Sequence, residues 1–308
     1  MNDEPLVSVV IPTRERPELV IRAVRSALSQ TYRNLEIVVV VDGPDPATVA
    51  ALEELREPRV RIIALSENVG GSEARNIGAR EARGEWIALL DDDDEWLPEK
   101  LTKQMLLAAA SLSAHVVITS RLFARREKFD EVWPLRPLAA GESMGEYLFC
   151  RSGIGQGEGY IQTSTILASR NLLSSIPFTE GLSRHQDWDW LIRVTSHPGV
   201  EVAFVWEPLV VWHLEESRSS MSRSTDPTPS MAWVETNEFI TPKAKAYFIA
   251  TQVAPRWKAK GLAYAAKILR TTTRYPHAAA LSLIFMLTSS SQRRTLLGTT
   301  RKIASACH

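Results

Sequence analysis

The feature that most limits the fold of this 308-residue chain is an alternation of segment types along its first ninety residues. Four short apolar runs, residues 6–11 (LVSVVI), 36–41, 60–64 and 86–90, recur at intervals and are rich in Val, Ile and Leu. A run that is apolar at nearly every position cannot turn one face to water, so each reads as a strand buried on both sides. Between the runs lie segments of helical period. Residues 17–29 set Leu19, Val20, Ala23, Val24, Ala27 and Leu28 on one side, and 46–55 and 72–82 behave alike. This order predicts an α/β fold, a Rossmann-like, mostly parallel sheet flanked by helices and joined by right-handed crossovers. Ligands of such sheets bind outside the carboxyl ends of the strands.

Every one of those strand ends is polar and carries a carboxylate: Pro12-Thr13-Arg14-Glu15-Arg16, Asp42-Gly43, Ser66-Glu67-Asn68 and Asp91-Asp92-Asp93-Asp94. Four adjacent aspartates repel one another, and like carboxylates this close force some to stay protonated unless a cation intervenes. Mg²⁺ or Mn²⁺ suits such a site, because these ions take few protein oxygens and complete their shell with water and phosphate. An acidic turn capping the helix expected at 98–110 accounts for the run equally well. The first strand is not followed by Gly-x-Gly-x-x-Gly and no Walker loop occurs, which argues against a nicotinamide-dependent dehydrogenase or a P-loop enzyme.

Further along, 115–119 reads as a strand, and 121–159 loses its pattern among Pro134, Pro137 and a series of glycines. Regularity returns at 160–168, in a helix near 188–195 and in strands near 200–205 and 209–212; beyond about residue 231 the chain reads as helical. Cys150 and Cys307 lie far apart without metal-ligand spacing, so neither a disulfide framework nor a zinc site is expected. The acidic start, Met1 to Pro5, does not read as a signal peptide, and a cytoplasmic protein is expected. The net charge of zero conceals a division: twelve Lys and Arg and no Asp or Glu follow Glu238, which leaves −12 on the first 238 residues. That basic segment, which includes Arg294, Arg301 and Lys302, suggests either helices packed on the body of the protein or a peripheral contact with an anionic membrane at its inner face. The apolar stretch 278–287 is too short to span a bilayer, which takes about 20 residues.

Three ordered pieces of the chain, 7–43, 67–101 (ENVGGSEARNIGAREARGEWIALLDDDDEWLPEKL) and 178–194 (FTEGLSRHQDWDWLIRV), resemble glycosyltransferase family 2, whose nucleotide-binding fold is called GT-A. The resemblance runs over residues 6–213. It implies a GT-A-like catalytic domain at 1–230, with a nucleotide-binding half at about 1–120 and an acceptor half at about 121–230, and leaves 231–308 as a basic helical extension. It further implies an inverting hexosyltransferase-type enzyme that takes sugar from a nucleotide diphosphate donor, a UDP-sugar, to a hydroxyl of a glycan, glycolipid or other acceptor in polysaccharide or glycoconjugate synthesis. No nucleic-acid partner is expected.

Carried over residue by residue, the resemblance makes Pro12, Thr13 and Arg14 the first nucleotide loop and Asp42 the partner of the base. Asp91 and Asp92 become donor contacts, Asp93 the Mn²⁺ or Mg²⁺ ligand, and His213 a further metal contact; Asp94 is left to cap the next helix. Arg75 faces the donor anion from the start of a helix. Asp187 becomes the general base that takes the acceptor proton. Two departures stand out. Arg14 occupies a position where relatives often carry Tyr, and Gln186 one where they commonly carry Glu, so any helper of the base at 186 is neutral. A sugar nucleotidyltransferase and a non-catalytic membrane-surface partner are the competing readings.

Overall fold

In a computed structural model the protein is described over residues 4–113, 115–126, 130–214, 225–289 and 292–293. Met1 to Asp3, Arg294, Arg301, Lys302 and Cys307 lie outside the described residues. The chain divides into two compact units, one of Met1–Pro137 and Ile161–Arg218, the other of Leu138–Tyr160 and Ser219–His308.

The first unit is built on a nine-stranded sheet. Strands β1 (Val7–Thr13), β2 (Leu35–Val41), β3 (Val60–Ala64) and β4 (Trp86–Leu89) are parallel in the order β3-β2-β1-β4, with Val10 opposite both Val38 and Leu89. In β1 and β2 nearly every side chain is buried, as uninterrupted apolar runs require. The helices between them follow the predicted faces. In α1 (Pro17–Leu28) proline occupies the first turn, where no N–H is missed, and Val20, Ala23, Val24 and Ala27 are buried at spacings of three and four. The Asp45 carboxylate caps α2 (Pro46–Glu53) by accepting from Thr48 N–H. Helix α3 (Gly71–Glu81) begins after Gly70, at φ +85°, and approaches the sheet closely at Gly78. A Cβ there would lie 2.4 Å from Val10 Cγ1 and 3.2 Å from Val40 Cγ2, so only glycine fits.

Beyond β4 the sheet is mixed, continuing β4-β8-β6-β9-β5. Here β5 (Glu95–Trp96) and β8 (Leu167–Ser169) are very short, whereas β6 (His115–Arg125) and β9 (Val200–His213) are long. Strand β7 (Asp130–Trp133) pairs with β6 alone, and α4 (Lys100–Ala110), α6 (Arg170–Ser175) and α7 (Gln186–Thr195) complete the unit. The strands expected at 200–205 and 209–212 are one strand. Pairing with β6 jumps from Ser120–Val205 to Arg121–Pro208 and then Leu122–Val210, so Trp206, Glu207 and Leu209 are left out of the register on either side of a proline that cannot donate to a ladder.

The second unit is helical: α5 (Met144–Phe149), α8 (Thr228–Thr236), α9 (Pro242–Phe248), α10 (Leu262–Thr272) and α11 (Pro276–Leu287), with π and 3₁₀ turns over Ile249–Val253 and Ala254–Ala259. Its core includes the rings of Phe149, Trp233 and Phe248, with Phe149 edge-on to both others at 6.2 and 5.0 Å. No helix among the described residues is long and apolar enough to cross a membrane.

The close approach of α3 to the sheet gives a direct test. Replacing Gly78 by Val should lower unfolding stability by about 2 kcal/mol or more through overpacking, read as a lower urea midpoint with an unchanged m-value.

Candidate active site

Past the end of β4 the chain turns through the four aspartates, and Asp94 N–H closes the turn on Asp91 C=O at 3.1 Å. Each carboxylate takes different partners. Asp91 accepts from Arg75 Nη2 at 2.5 Å and from Gln162 Nε2 at 3.1 Å, while its own N–H donates to Ser164 Oγ. Asp92 accepts from the Thr13 hydroxyl at 2.8 Å and from Arg16 Nη1 at 3.1 Å. The same Arg16 nitrogen is 3.5 Å from Asp93, whose backbone carbonyl accepts from Arg22 Nη2. Asp94 is fully buried; its Oδ2 accepts from Ser164 Oγ at 2.6 Å and Gln162 Nε2 at 2.7 Å, and its Oδ1 has no partner.

Crowding decides the protonation of this turn. Burial and the charges of Asp93 and Asp91 push Asp94 well above the usual carboxylate range. Burial and Asp93 raise Asp92 to about 6 even though Arg16 and Thr13 oppose them. Asp94 is therefore an inward-facing carboxyl whose surroundings favour its protonated form. It does not cap α4, because Glu99 stands at the cap position and β5 intervenes between the turn and the helix.

Helix α7 brings a second carboxylate into this field. Its cap residue, His185, has left-handed backbone at φ 62° and stacks on Trp188, with ring centroids 5.2 Å apart. Gln186 and Asp187 open the helix. Asp187 Oδ1 accepts from Trp188 N–H at 2.9 Å, and burial together with the charge of Asp91 raises its carboxyl to about 6, against a lowering by Arg75. Arg75 is buried and joins the two carboxylate regions: besides Asp91, it donates from Nη1 to Gln186 Oε1 at 2.6 Å. Trp190 is core, stacked on Phe178 with its Nε1–H given to Ile176 C=O. Asp189 is engaged by Thr179 and Arg193.

The other expected site residues lie around these. Asp42, at the end of β2, accepts Val69 N–H at 2.7 Å and Gly70 N–H at 3.0 Å, so it shapes the entry to α3. Pro12 lies in β1 opposite Val40. Arg14 is exposed, 3.5 Å from Glu15. His213, the last residue of β9, places Nε2 2.7 Å from Glu95 Oε1, and Arg22 stands 3.5 Å from that same oxygen while holding Asp93 C=O. Among the described residues no three His, Cys, Asp or Glu side chains converge as a preformed metal cage. A cation bound by one or two carboxylates and by substrate phosphates needs no such cage, and the oxygen donors of this turn fit Mg²⁺ or Mn²⁺. Arg16, Gln162 and Ser164 were not singled out from the sequence. Arg16 sits inside a strand-end cluster that contains it, whereas Gln162 and Ser164 lie in 160–168, where the pattern marks an element but singles out no polar side chain.

Comparison with known proteins follows the same line. The family described as Glycosyl transferase family 2 matches residues 8–176. The amylovoran biosynthesis glycosyltransferase AmsB of Erwinia amylovora is 30% identical over 237 residues, covering 74% of this chain and 76% of that protein. Among solved structures, S. aureus TarS 1–349 in complex with UDP-GlcNAc superposes with a TM-score of 0.57 at 16% identity, over 89% of this chain and 81% of that one. The mannosyltransferase PcManGT of Pyrobaculum calidifontis, in complex with GDP-Man and Mn²⁺, gives 0.54 at 17% identity, over 98% and 81%. The two structural likenesses show a GT-A-like α/β fold.

The protonation of Asp94 has a measurable consequence. A carboxyl whose pKa is raised on folding contributes stability that is lost as pH rises above the unfolded value, about 3.9. Asp94→Asn removes that dependence, so its melting temperature should gain on the wild type between pH 4 and pH 8. A constant difference across that range would show Asp94 to be ionised.

Proposed function

The chain belongs to glycosyltransferase family 2, and on that premise we propose that it is an inverting enzyme that carries a sugar from a UDP-sugar to an acceptor hydroxyl, with Asp187 as general base. The observation that carries this reading is Arg75, which holds Asp91 at 2.5 Å with one nitrogen and the residue before Asp187 at 2.6 Å with another. Two carboxylates almost a hundred residues apart in sequence thereby share one electrostatic environment, as a transfer between a diphosphate donor and an acceptor requires.

Asp187 is poised for its part. With a pKa of about 6 it is mostly ionised at neutral pH yet more basic than an exposed carboxylate, so it can take the acceptor's proton as oxygen bonds to the anomeric carbon. The carbon–oxygen bond to the diphosphate breaks on the opposite face, and the product has inverted configuration. Thr13, Arg14, Asp42 and Asp92 are proposed to hold the nucleotide, with Pro12 near the end of β1 leading the chain to them. Asp91 and Arg75 orient the donor's ribose and phosphates. Asp93, with His213, would hold Mn²⁺ or Mg²⁺, which when bound neutralises charge on the leaving diphosphate.

The setting proposed is polysaccharide or glycoconjugate synthesis, which the amylovoran relative supports, and we place it on the cytoplasmic side of a membrane. Helix α11 supports peripheral attachment: its exposed side carries Ala280, Leu283 and Leu287, and Arg270 and Arg274 are exposed in the same unit. Such a pairing of apolar and cationic side chains suits an anionic leaflet. Catalytic residues 1–230 and the basic extension 231–308 are proposed as functional divisions.

Three measurements test the reading. Asp93→Ala should abolish Mn²⁺-dependent donor binding in calorimetry, whereas Asp187→Ala should leave donor affinity within about threefold and lower turnover by at least about a hundredfold. Turnover of the wild type should fall about tenfold per unit as pH drops below 6, since the base must be ionised. Leu283→Glu with Leu287→Glu should release the protein from phosphatidylglycerol vesicles in a sedimentation assay, and equal sedimentation of both forms would refute attachment through α11.

A further inference from the structure

The amide of Gln186 is used in both directions. Its Oε1 accepts from Arg75 Nη1 at 2.6 Å and its Nε2 donates to Leu182 C=O at 2.5 Å. The first contact reaches back to the aspartate turn, because Arg75 also binds Asp91 and Gly71 C=O. The second reaches the segment that leads into α7, where His185 is held in left-handed backbone. Gly71 makes room for the meeting: a Cβ at that position would lie 3.1 Å from Gln186 Oε1 and 3.2 Å from Arg75 Nη1.

We propose that Gln186 is a positioning residue, a neutral two-way clasp that fixes the first turn of α7 and with it Asp187 against Arg75 and the donor side of the site. The inference rests on the reading of Asp187 as base and adds to it a requirement for an amide at 186. A glutamate could accept from Arg75 but has no hydrogen to give Leu182 C=O, and its oxygen would face that carbonyl unpaired. It would also set a second negative charge beside Asp187, which already feels Asp91 from the turn and Arg75 from α3. Glutamine meets both geometric demands and leaves part of Arg75's charge to offset the two aspartates.

The test uses the full chain without ligand for its first readout. Hydrogen exchange at the amides of residues 186–189 should quicken at least about tenfold in Gln186→Ala, and as much in Gln186→Glu, since neither can donate to Leu182 C=O. A second readout is binding of UDP with Mn²⁺ by calorimetry, expected within about threefold of wild type in both variants. A third is kcat with whichever UDP-sugar most raises the melting temperature. It should fall at least about tenfold in both variants, and in Gln186→Glu its acid limb should move up by about one pH unit.

Exchange in Gln186→Glu as slow as in wild type would overturn the clasp, since a carboxylate would then serve equally well. Loss of UDP affinity to match the loss of kcat would overturn it too, by placing Gln186 in the donor site. Asp187→Asn separates the two levels: if that variant still turns over, the base assignment fails, while the exchange result stands or falls independently of it.

Discussion

Four carboxylates on consecutive residues cannot all be charged and unpaired inside a folded protein, and much of the first unit is arranged around that constraint. The sheet delivers Asp91 to Asp94 at the end of β4, where neighbouring strands supply Thr13 and the chain after them supplies Arg16 and Arg75. Two cations take up the charge of Asp91, Asp92 and Asp93, and Asp94 is turned inward, where burial and its neighbours' charges raise its pKa. Behind the turn, Trp96 gives its Nε1–H to Ser164 C=O, and the fully buried Lys100 places Nζ 3.9 Å over the Trp96 ring and donates to Gln104 Oε1. Burial drives the Lys100 pKa down, which favours the uncharged amine behind the turn. The outcome is a turn whose carboxylates are paired with Arg16 and Arg75 and which lies at the ends of the parallel strands, the side where such sheets take ligands.

The parallel half of the sheet was legible because its signals are local. A strand buried on both faces announces itself in six residues, and a helix in four or five apolar positions at the right spacing. In the mixed half β6 and β9 were legible in part, whereas β5 and β8 were not, since β8 is three residues long, β5 two, and both exist only through partners distant in sequence. β5 also explains why Asp94 was misread. A two-residue strand with no composition of its own stands between the aspartates and α4, so the acid that would cap a helix is instead drawn into the core. Within the candidate site, carboxylates at strand ends and the acid at the head of α7 could be picked out by position. Gln162 and Ser164 could not, because an amide and a hydroxyl carry no charge to mark them, even in a stretch whose pattern is regular.

The departures from the family pattern acquire physical content in the same way. Arg14 faces solvent beside Glu15, which leaves its guanidinium at the rim and not committed to the packing. Gln186, by contrast, is fully committed, with both ends of its amide in use. One position is thus free to vary with the ligand, the other with the scaffold.

The excursion of Leu138–Tyr160 into the second unit has a bearing on biosynthesis. The groups that hold the aspartate turn, Gln162 and Ser164, come just after the chain re-enters at Ile161, and β9, which lies between β6 and β5, comes later still. A ribosome that has released only the first 137 residues has therefore made the acidic turn but none of the side chains that satisfy Asp94. Emerging amino-terminal segments ordinarily begin to fold as units during synthesis. Here the parallel strands can assemble early, but the acidic end of β4 must wait for the chain to come back.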